Sequence, residues 1–490
     1  MIIKIFSNFI NHDFHTVIAV GIYIALAFGT SAHILLHKND VRSAIGWIAL
    51  VFLSPFIGTI LYIFFGINRV KRKGSRLRKK INLSEKYSYE IISNIFENLP
   101  INYKQLNYKQ FITFGHNIYP QAFAFSNSIE PLQNGIEAYP KMLKAIKSAK
   151  KEVLISSYIF DYDSETVKFI DAFKTAVKNG VSVKVLVDGI GTLKFFHRSI
   201  EKRLSEIQGI ECGVFLPPHI PISMPFVNLR NHRKMMIIDG KTAFFGGMNL
   251  SKKNILTHNL KDGILDITFE VKGSVIEQMV EIFEDDWEFA VGAKFQSFAR
   301  TVTHTKEGTI PVRIIPDGPD NKHGIIELIT IGAINAAVKK ILIVTPYFLP
   351  ENNILTAIEM AAMKDVDVEI IIPEKSDHKI LNYAVESNFL RLIESGVKIY
   401  RTSCPFDHSK IFIVDNEWVF VGSANWDERS FKLNFESNME VFSKNLAKKL
   451  TEIAEEKKKN AKLTTAYECK QVPFLKRIRN NAYRLLTPYS

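Results

Sequence analysis

Two segments of this 490-residue chain share one arrangement, "HRKMMIID" at 232–239 and "HSKIFIVD" at 408–415. Each reads H-x-K-x4-D, and each is followed at the same spacing by G-[GS]-x-N, "GGMN" at 246–249 and "GSAN" at 422–425. The runs MMII and IFIV are apolar enough for buried strands, along which residues i and i+2 face the same way. His232 then shares a face with Lys234, and His408 with Lys410, while Asp239 and Asp415 fall on the opposite face. There a carboxylate serves better as a structural hydrogen-bond acceptor than as a proton donor to substrate. One such motif carries little weight, because a lone histidine is more often structural than catalytic. Two copies with the same downstream element point to a duplicated domain with one chemical task.

The flanking sequence repeats as well. "KEVLISSYIFDYDSE", the helical pattern "TVKFIDAFKTAVKNG" and "VSVKVLVDG" recur as "KKILIVTPYFLPENN", "ILTAIEMAAMKDV" and "DVEIIIPEKSD". Short apolar runs alternating with helical patterns predict α/β domains. Repetition on this scale is that of a whole domain, not of a solenoid unit.

A neutral imidazole beside a fixed ammonium suits a phosphate: nitrogen attacks phosphorus while the cation balances the oxyanions. The glycines of the second element let backbone approach a ligand closely, and Asn249 and Asn425 can donate amide hydrogens to phosphate oxygens. Displacement at a phosphodiester by one histidine needs a second group to protonate the departing alkoxide. A second histidine, with an ordinary pKa of roughly 6.5, suits that task and the later removal of an acceptor's proton. Each ring also needs an acid on its other nitrogen. Asp266 in "ILDITFEV" and Glu436 in "LNFES" lie at similar distances downstream of the two motifs.

The N-terminus bears on the substrate. Thr16 to Leu36 and Ala44 to Ile67 carry no Asp, Glu, Lys or Arg. At ~1.5 Å of rise per residue, each is long enough for a hydrocarbon core of ~30 Å, which predicts a transmembrane hairpin. "TSA" in the first segment loosely resembles a cleavage site, yet the second segment would still anchor the chain. The flank "NRVKRKGSRLRKK" is far more basic than the loop "HKNDVRS", so the positive-inside tendency puts the long C-terminal portion in the cytoplasm. The formal charge of +13 calls for an anionic partner, and the hairpin favours membrane lipid over nucleic acid. Three scattered cysteines with no CxxC argue against a disulfide framework or a thiolate zinc site.

Two further stretches raise expectations. "VFLPPHIPISMPF" at 214–226 holds four prolines among apolar residues; it is either an ordinary buried loop or an apolar rim in which Phe215 and Phe226 help lipid tails approach. The terminal "FLKRIRNNAYRLLTPYS" interleaves aromatic, apolar and basic residues. It is either a membrane-surface helix or one docked on the body, with docking preferred.

These residues resemble the phospholipase D superfamily, whose mark is the duplicated HKD motif. Within it the chain is similar to the two-motif bacterial cardiolipin synthases. The likeness rests on "WIALVFLSPFIGTILYIFFG", "NHRKMMIIDGKTAFFGGMN", "VGSANWDERSFKLNFE" and the closing "RLLTP". It implies two phospholipase D-like α/β domains related by a pseudo-two-fold axis, both motifs meeting in one active site behind the N-terminal transmembrane hairpin. The expected division is two membrane helices in 1–70, a basic, mainly helical linker in 71–120, a first domain in 121–300 and a second in 301–490, ending in a basic segment.

The resemblance also implies a reaction. Phosphatidyl transfer between two phosphatidylglycerol molecules would give cardiolipin and glycerol through a phosphatidyl-histidine intermediate. His232 would be the nucleophile and His408 the acid/base, although pseudo-symmetry permits the reverse. No cofactor or metal is expected, since Lys234 and Lys410 balance the phosphate charge. Neither a GxxxxGK[ST] loop nor the DGxxAR of CDP-alcohol transferases occurs. The expected setting is the bacterial inner membrane, with phosphatidylglycerol and cardiolipin as lipid partners and self-association left open. Hydrolysis to phosphatidic acid, use of phosphatidylethanolamine, a nuclease and a non-enzymatic scaffold are the rival readings. After the first motif, "LSKKNILTHNLKDG" departs from the glycine and acidic residues usual in relatives, which bears on acceptor choice.

Overall fold

The computed structural model describes residues 2–38, 40–66, 106–192, 200–217, 229–256, 263–302, 307–319, 324–376 and 379–486. The expected basic flank, the linker up to residue 105 and Phe226 lie outside them. The N-terminal segment and the α/β body form separate compact units.

In the N-terminal unit, Ile2–His37 is one helix, and its part Thr16–His37, 22 residues, is long and apolar enough to cross a membrane. The second expected span is not one helix. Val41–Leu53 stops at Ser54, whose φ of −152° leaves the helical region, and Pro55–Leu61 begins afresh before a wider turn at Tyr62–Gly66. Proline lacks an N–H and pushes the residue before it towards extended backbone, which accounts for the break. These pieces pack back on the first helix, Thr59 Oγ1 lying 3.0 Å from Thr30 Oγ1 and Tyr62 Oη 2.9 Å from His33 Nδ1.

The body is built from two copies of one strand set. The first comprises β1 (Ala124–Gln133), β2 (Glu152–Ser157), β3 (Ser182–Asp188), β4 (Ile210–Phe215), β5 (Met235–Ile238), β6 (Thr242–Gly246), β7 (Ile264–Leu265) and β8 (Ile267–Lys272). The second comprises β9 (Ile310–Asp317), β10 (Lys340–Val344), β11 (Phe348–Leu349), β12 (Asp367–Pro373), β13 (Lys398–Thr402), β14 (Phe406–Asp407), β15 (Ile411–Val414), β16 (Trp418–Gly422), β17 (Trp426–Asp427), β18 (Glu436–Phe442) and β19 (Ala461–Leu463). A single 15-stranded sheet runs through both, in the order β19-β13-β12-β10-β15-β16-β18-β9-β1-β8-β6-β5-β2-β3-β4. Outward from the antiparallel β1–β9 junction, the two halves follow the same sequence of seven equivalent strands, and the second half adds β19 at its edge. Helices Thr166–Lys178 and Asn352–Met363 make the crossovers that parallel pairs β2–β3 and β10–β12 require.

Why MMII and IFIV are apolar throughout is clear from their place in the sheet. Met235 and Ile237 pack in the central core with helix Ile276–Val291, whereas Met236 and Ile238 pack under helices Asn134–Ser148 and Thr166–Lys178. Both faces of these strands are covered, so alternation gives way to continuous apolar sequence. Two expectations change here. Helix Leu106–Ile118, taken with the linker, seats Phe111 and Ile112 in the core of the second half, Phe111 lying 5.4 Å from the Trp418 ring. Phe215 forms no lipid rim: it is fully buried at the end of β4, stacked 4.7 Å from Phe289.

Candidate active site

His232 and His408 each sit just before their buried strand, on backbone tied to the opposite half. The Phe435 N–H donates to Arg230 O at 2.8 Å and the His232 N–H to Phe435 O at 2.9 Å. In the equivalent place, β14 pairs in parallel with β7 and the His408 N–H donates to Leu265 O at 2.7 Å. The residue after Phe435 is Glu436, and the residue after Leu265 is Asp266. Each histidine is therefore stitched to the strand bearing the other half's acid. His232 Nδ1 lies 3.0 Å from Glu436 Oε2, and His408 Nδ1 lies 2.7 Å from Asp266 Oδ2. The acids serve the two rings crosswise.

This pairing fixes the tautomers. With Glu436 and the Ser423 carbonyl (3.1 Å) both facing His232 Nδ1, that nitrogen carries the proton and Nε2 keeps its lone pair. Glu436 is itself held by Ser423 Oγ at 2.5 Å and Asn434 Nδ2 at 3.1 Å. Burial alone would raise its pKa, but His232, Lys234 and Ser423 hold it below the ordinary range. Burial pulls His232 down to about 4, against the opposing pull of Glu436. His408 is also lowered, by burial and by the Lys410 charge, with Asp266 opposing. Both imidazoles are therefore neutral at pH 7.

Lys234 and Lys410 are buried beneath the histidines. Each ammonium donates to the carbonyl of the histidine two residues earlier, at 2.7 Å in both cases. Lys410 Nζ also lies 3.1 Å from both ring nitrogens of His408. Burial holds both lysines below the ordinary range, Lys234 well below it. A bound phosphodiester would reverse this by supplying the missing negative charge.

The remaining sequence candidates divide. Asn249 and Asn425 line the same cavity as the histidines. Asn249 Oδ1 accepts from the Ile159 N–H at 3.1 Å, whereas Asn425 Oδ1 is buried without a hydrogen-bond partner among the described residues. Asp239 and Asp415 stand apart, just past the strands, in left-handed backbone (φ 49° and 53°). Asp239 accepts the N–H groups of Lys150, Lys151 and Glu152, and Asp415 those of Val338, Lys339 and Lys340. They anchor the starts of β2 and β10. The glycines also have another neighbour than expected: a Cβ on Gly247 would meet Asp266 Oδ1 at 3.1 Å and Lys410 Cδ at 3.2 Å.

Several residues of the site were not anticipated. Tyr158 sets its ring edge-on to His232 at 5.1 Å and under Lys234 Nζ at 5.3 Å. Its counterpart Tyr347 lines the same cavity, and the matched "SSYIF" and "TPYFL" of the repeat were the signal. Asp188 binds the N–H groups of Ile190, Gly191 and Asn231 and meets the Arg230 guanidinium at 3.3 Å, fixing the approach to His232. Arg429 lines the cavity with no hydrogen bond or ion pair to its guanidinium among the described residues. Glu428 beside it is pushed up to about 7 by burial and by Glu351.

All of this opens on a cavity of about 600 Å³ with both histidines in its lining, large enough for a phospholipid headgroup and its acceptor. Among the described residues, no group of three or more His, Cys, Asp or Glu is placed to hold a metal ion.

Comparison with known proteins agrees with this geometry. The family model described as cardiolipin synthase, PLD-like domain, matches residues 142–287 and 330–458. A model described as phospholipase D-nuclease N-terminal matches residues 25–66. The chain is 29% identical over 473 residues to a cardiolipin synthase of Geobacillus kaustophilus, covering 95% of this chain and 91% of that one. It is 30% identical over 459 residues to a cardiolipin synthase of Alkalihalophilus pseudofirmus, covering 93% and 90%. Among solved structures, the phosphatidylserine synthase of Haemophilus influenzae shares the fold, with a TM-score of 0.62 at 16% identity over 78% of this chain and 100% of that one. The chain belongs to the cardiolipin synthase family of phospholipase D-like proteins.

Proposed function

We propose that this protein is a phosphatidyltransferase that converts two phosphatidylglycerol molecules into cardiolipin and glycerol. The observation that carries the reading is the pair of crossed histidine–acid contacts opening on one cavity. A phosphodiester seated between the rings meets His232 Nε2 on one side and His408 on the other, with Lys234, Lys410 and the Asn249 and Asn425 amides around its oxygens. Nε2 attacks phosphorus while Nδ1–H stays on Glu436. The bond from phosphorus to the glycerol headgroup breaks, and His408, protonated as the anionic ligand raises its pKa, gives its proton to the leaving oxygen.

His408 then takes a proton from a headgroup hydroxyl of the second phosphatidylglycerol. That oxygen attacks phosphorus, the P–N bond breaks and His232 is restored. One phosphodiester replaces another, so no energy-rich nucleotide is consumed. The acceptor brings a phosphate of its own, and Arg429 is its counter-ion, being a cavity guanidinium with no hydrogen bond or ion pair among the described residues. Asp239 and Asp415 act on the framework rather than on the substrate.

The setting follows the same reading. The first helix crosses the bacterial inner membrane, and the broken second segment returns beside it as a hairpin, with the α/β halves in the cytoplasm. The division at 1–70, 71–120, 121–300 and 301–490 is proposed with residues 106–118 assigned to the body. Incubating the reconstituted enzyme with phosphatidylglycerol labelled in its acyl chains tests the reading. Labelled cardiolipin with one glycerol released per cardiolipin supports it; phosphatidic acid as the sole product would make the protein a hydrolase.

A further inference from the structure

The C-terminal helix Phe474–Leu486 is mounted with its polar side inward. Asn480, only 4% exposed, donates to Glu386 Oε2 at 3.0 Å, and the Arg479 guanidinium lies 3.6 Å from the Tyr383 ring centroid. Tyr483 stacks on Tyr383 at 5.6 Å, and Arg484 donates to Asn388 Oδ1 at 3.3 Å. At 3.6 residues per turn, these four positions share one face. Phe474, Ile478 and Ala482 share the opposite face, with Leu475 at its margin. That apolar face looks to solvent, Phe474 being 72%, Leu475 77% and Ile478 50% exposed. A surface helix of a globular body does the reverse, burying its apolar stripe and wetting its polar one. The helix also carries Lys476, Arg477, Arg479 and Arg484 and no acidic residue.

We propose that this face is an interfacial docking surface that lies in the headgroup layer of an anionic bilayer. Apolar side chains enter the acyl boundary while the exposed Lys476 and Arg477 meet lipid phosphates, the division of labour of helices that lie in a membrane interface. Docking would hold the body against the surface its substrate occupies, a consequence that rests on the phosphatidylglycerol reading. An anionic lipid surface is favoured over a second copy of the chain because the exposed Lys476 and Arg477, on a helix with no acid, would set like charge against like across a two-fold contact.

The test uses the full-length chain in bilayers. Cys212, Cys404 and Cys469 are replaced by Ala, and Leu475→Cys carries an environment-sensitive fluorophore. Quenching by a lipid with the quencher on its acyl chain is expected in phosphatidylglycerol bilayers, and weaker quenching in phosphatidylcholine. A label that stays in water, or one that self-quenches as the protein-to-lipid ratio rises, overturns the proposal; the latter would mean that a second copy covers the face. The label reports depth whether or not cardiolipin is made, so a failed activity reading leaves this result standing. In parallel, the double variant Phe474→Ser, Ile478→Ser should lower turnover of bilayer lipid roughly 10-fold and leave turnover of detergent-dispersed, short-chain phosphatidylglycerol unchanged. Equal losses on both substrates would make the helix merely structural.

Discussion

Glu436 Oε2 stands 3.0 Å from His232 Nδ1 although 204 positions of chain separate the two residues. With the matching contact of Asp266 to His408, it makes either half incomplete without the other: each supplies one histidine and the acid that orients its partner's. Replacing Glu436 by Gln keeps the volume but removes the carboxylate that selects the Nδ1–H tautomer. The expected loss is on the order of 10²–10⁴-fold in kcat, with KM and the unfolding midpoint little changed. Partial recovery in Glu436→Asp would separate this positioning role from a purely structural one, and wild-type kcat in the Gln variant would dismiss it.

The pH dependence should carry the mark of buried, neutral imidazoles. A free histidine gains its proton near 6.5, whereas burial holds His232 neutral down to about 4. The acidic limb of kcat/KM for the free enzyme therefore falls below pH 6.5. Stability moves in the same direction: between pH 6.5 and about 4 the unfolded chain binds a proton that the folded site refuses, so stability present above pH 6.5 is lost as pH falls through that window. A rate profile with its acidic limb at or above 6.5 would contradict the burial argument.

The motif aspartates should behave differently from the histidines. Asp239 accepts three backbone N–H groups at the head of β2, so Asp239→Ala strands donors that need partners. A cost of about 1–3 kcal/mol in stability is expected, read as a lower unfolding midpoint. The variant enzyme that remains folded should keep most of its kcat. Complete loss of turnover without loss of stability would return Asp239 to the chemistry.

Gly247→Ala gives a sharper test of packing around the acid. The new Cβ would sit 3.1 Å from Asp266 Oδ1 and 3.2 Å from Lys410 Cδ, closer than either tolerates without moving. Since Asp266 orients His408, a shift of a few tenths of an ångström should lower kcat roughly 10-fold and leave KM near its original value. An unchanged kcat would show that Asp266 has slack.

Arg429 offers a way to separate acceptor from donor. Arg429→Ala should raise the KM for phosphatidylglycerol as acceptor by roughly 10-fold and recover in part with Lys. Slow hydrolysis of the same lipid to phosphatidic acid, which needs no second lipid, should hardly change. A parallel fall in both activities would place Arg429 at the donor phosphate instead.

The H-x-K-x4-D motifs, the repeat around them and the doubled α/β pattern were legible because each is written locally, in residue spacing and apolar runs. The acids were found as candidates, but their crossed use was not, since it arises from backbone pairing of Arg230–His232 with Phe435 and of β14 with β7. Hydropathy alone merged Val41–Leu53 with the separate helix Pro55–Leu61, although Pro55 marked the break. Phe215 looked like surface because its neighbours are prolines; only the packing of Phe289 and Phe435 against it shows otherwise. Composition gave the amphipathic character of Phe474–Leu486 but not which side faces in, because that depends on Tyr383 and Glu386 in a distant helix.

In the proposed reaction one histidine carries the phosphatidyl group while the other moves protons. The most direct measurement is to mix the enzyme with acyl-labelled phosphatidylglycerol, quench under alkaline conditions that preserve phosphohistidine, and map the labelled peptide by mass spectrometry. Label on His232, absent in His232→Ala and present in a variant slowed at Asp266, is the result predicted here. Label on His408, or turnover to cardiolipin with neither histidine ever labelled, would contradict it.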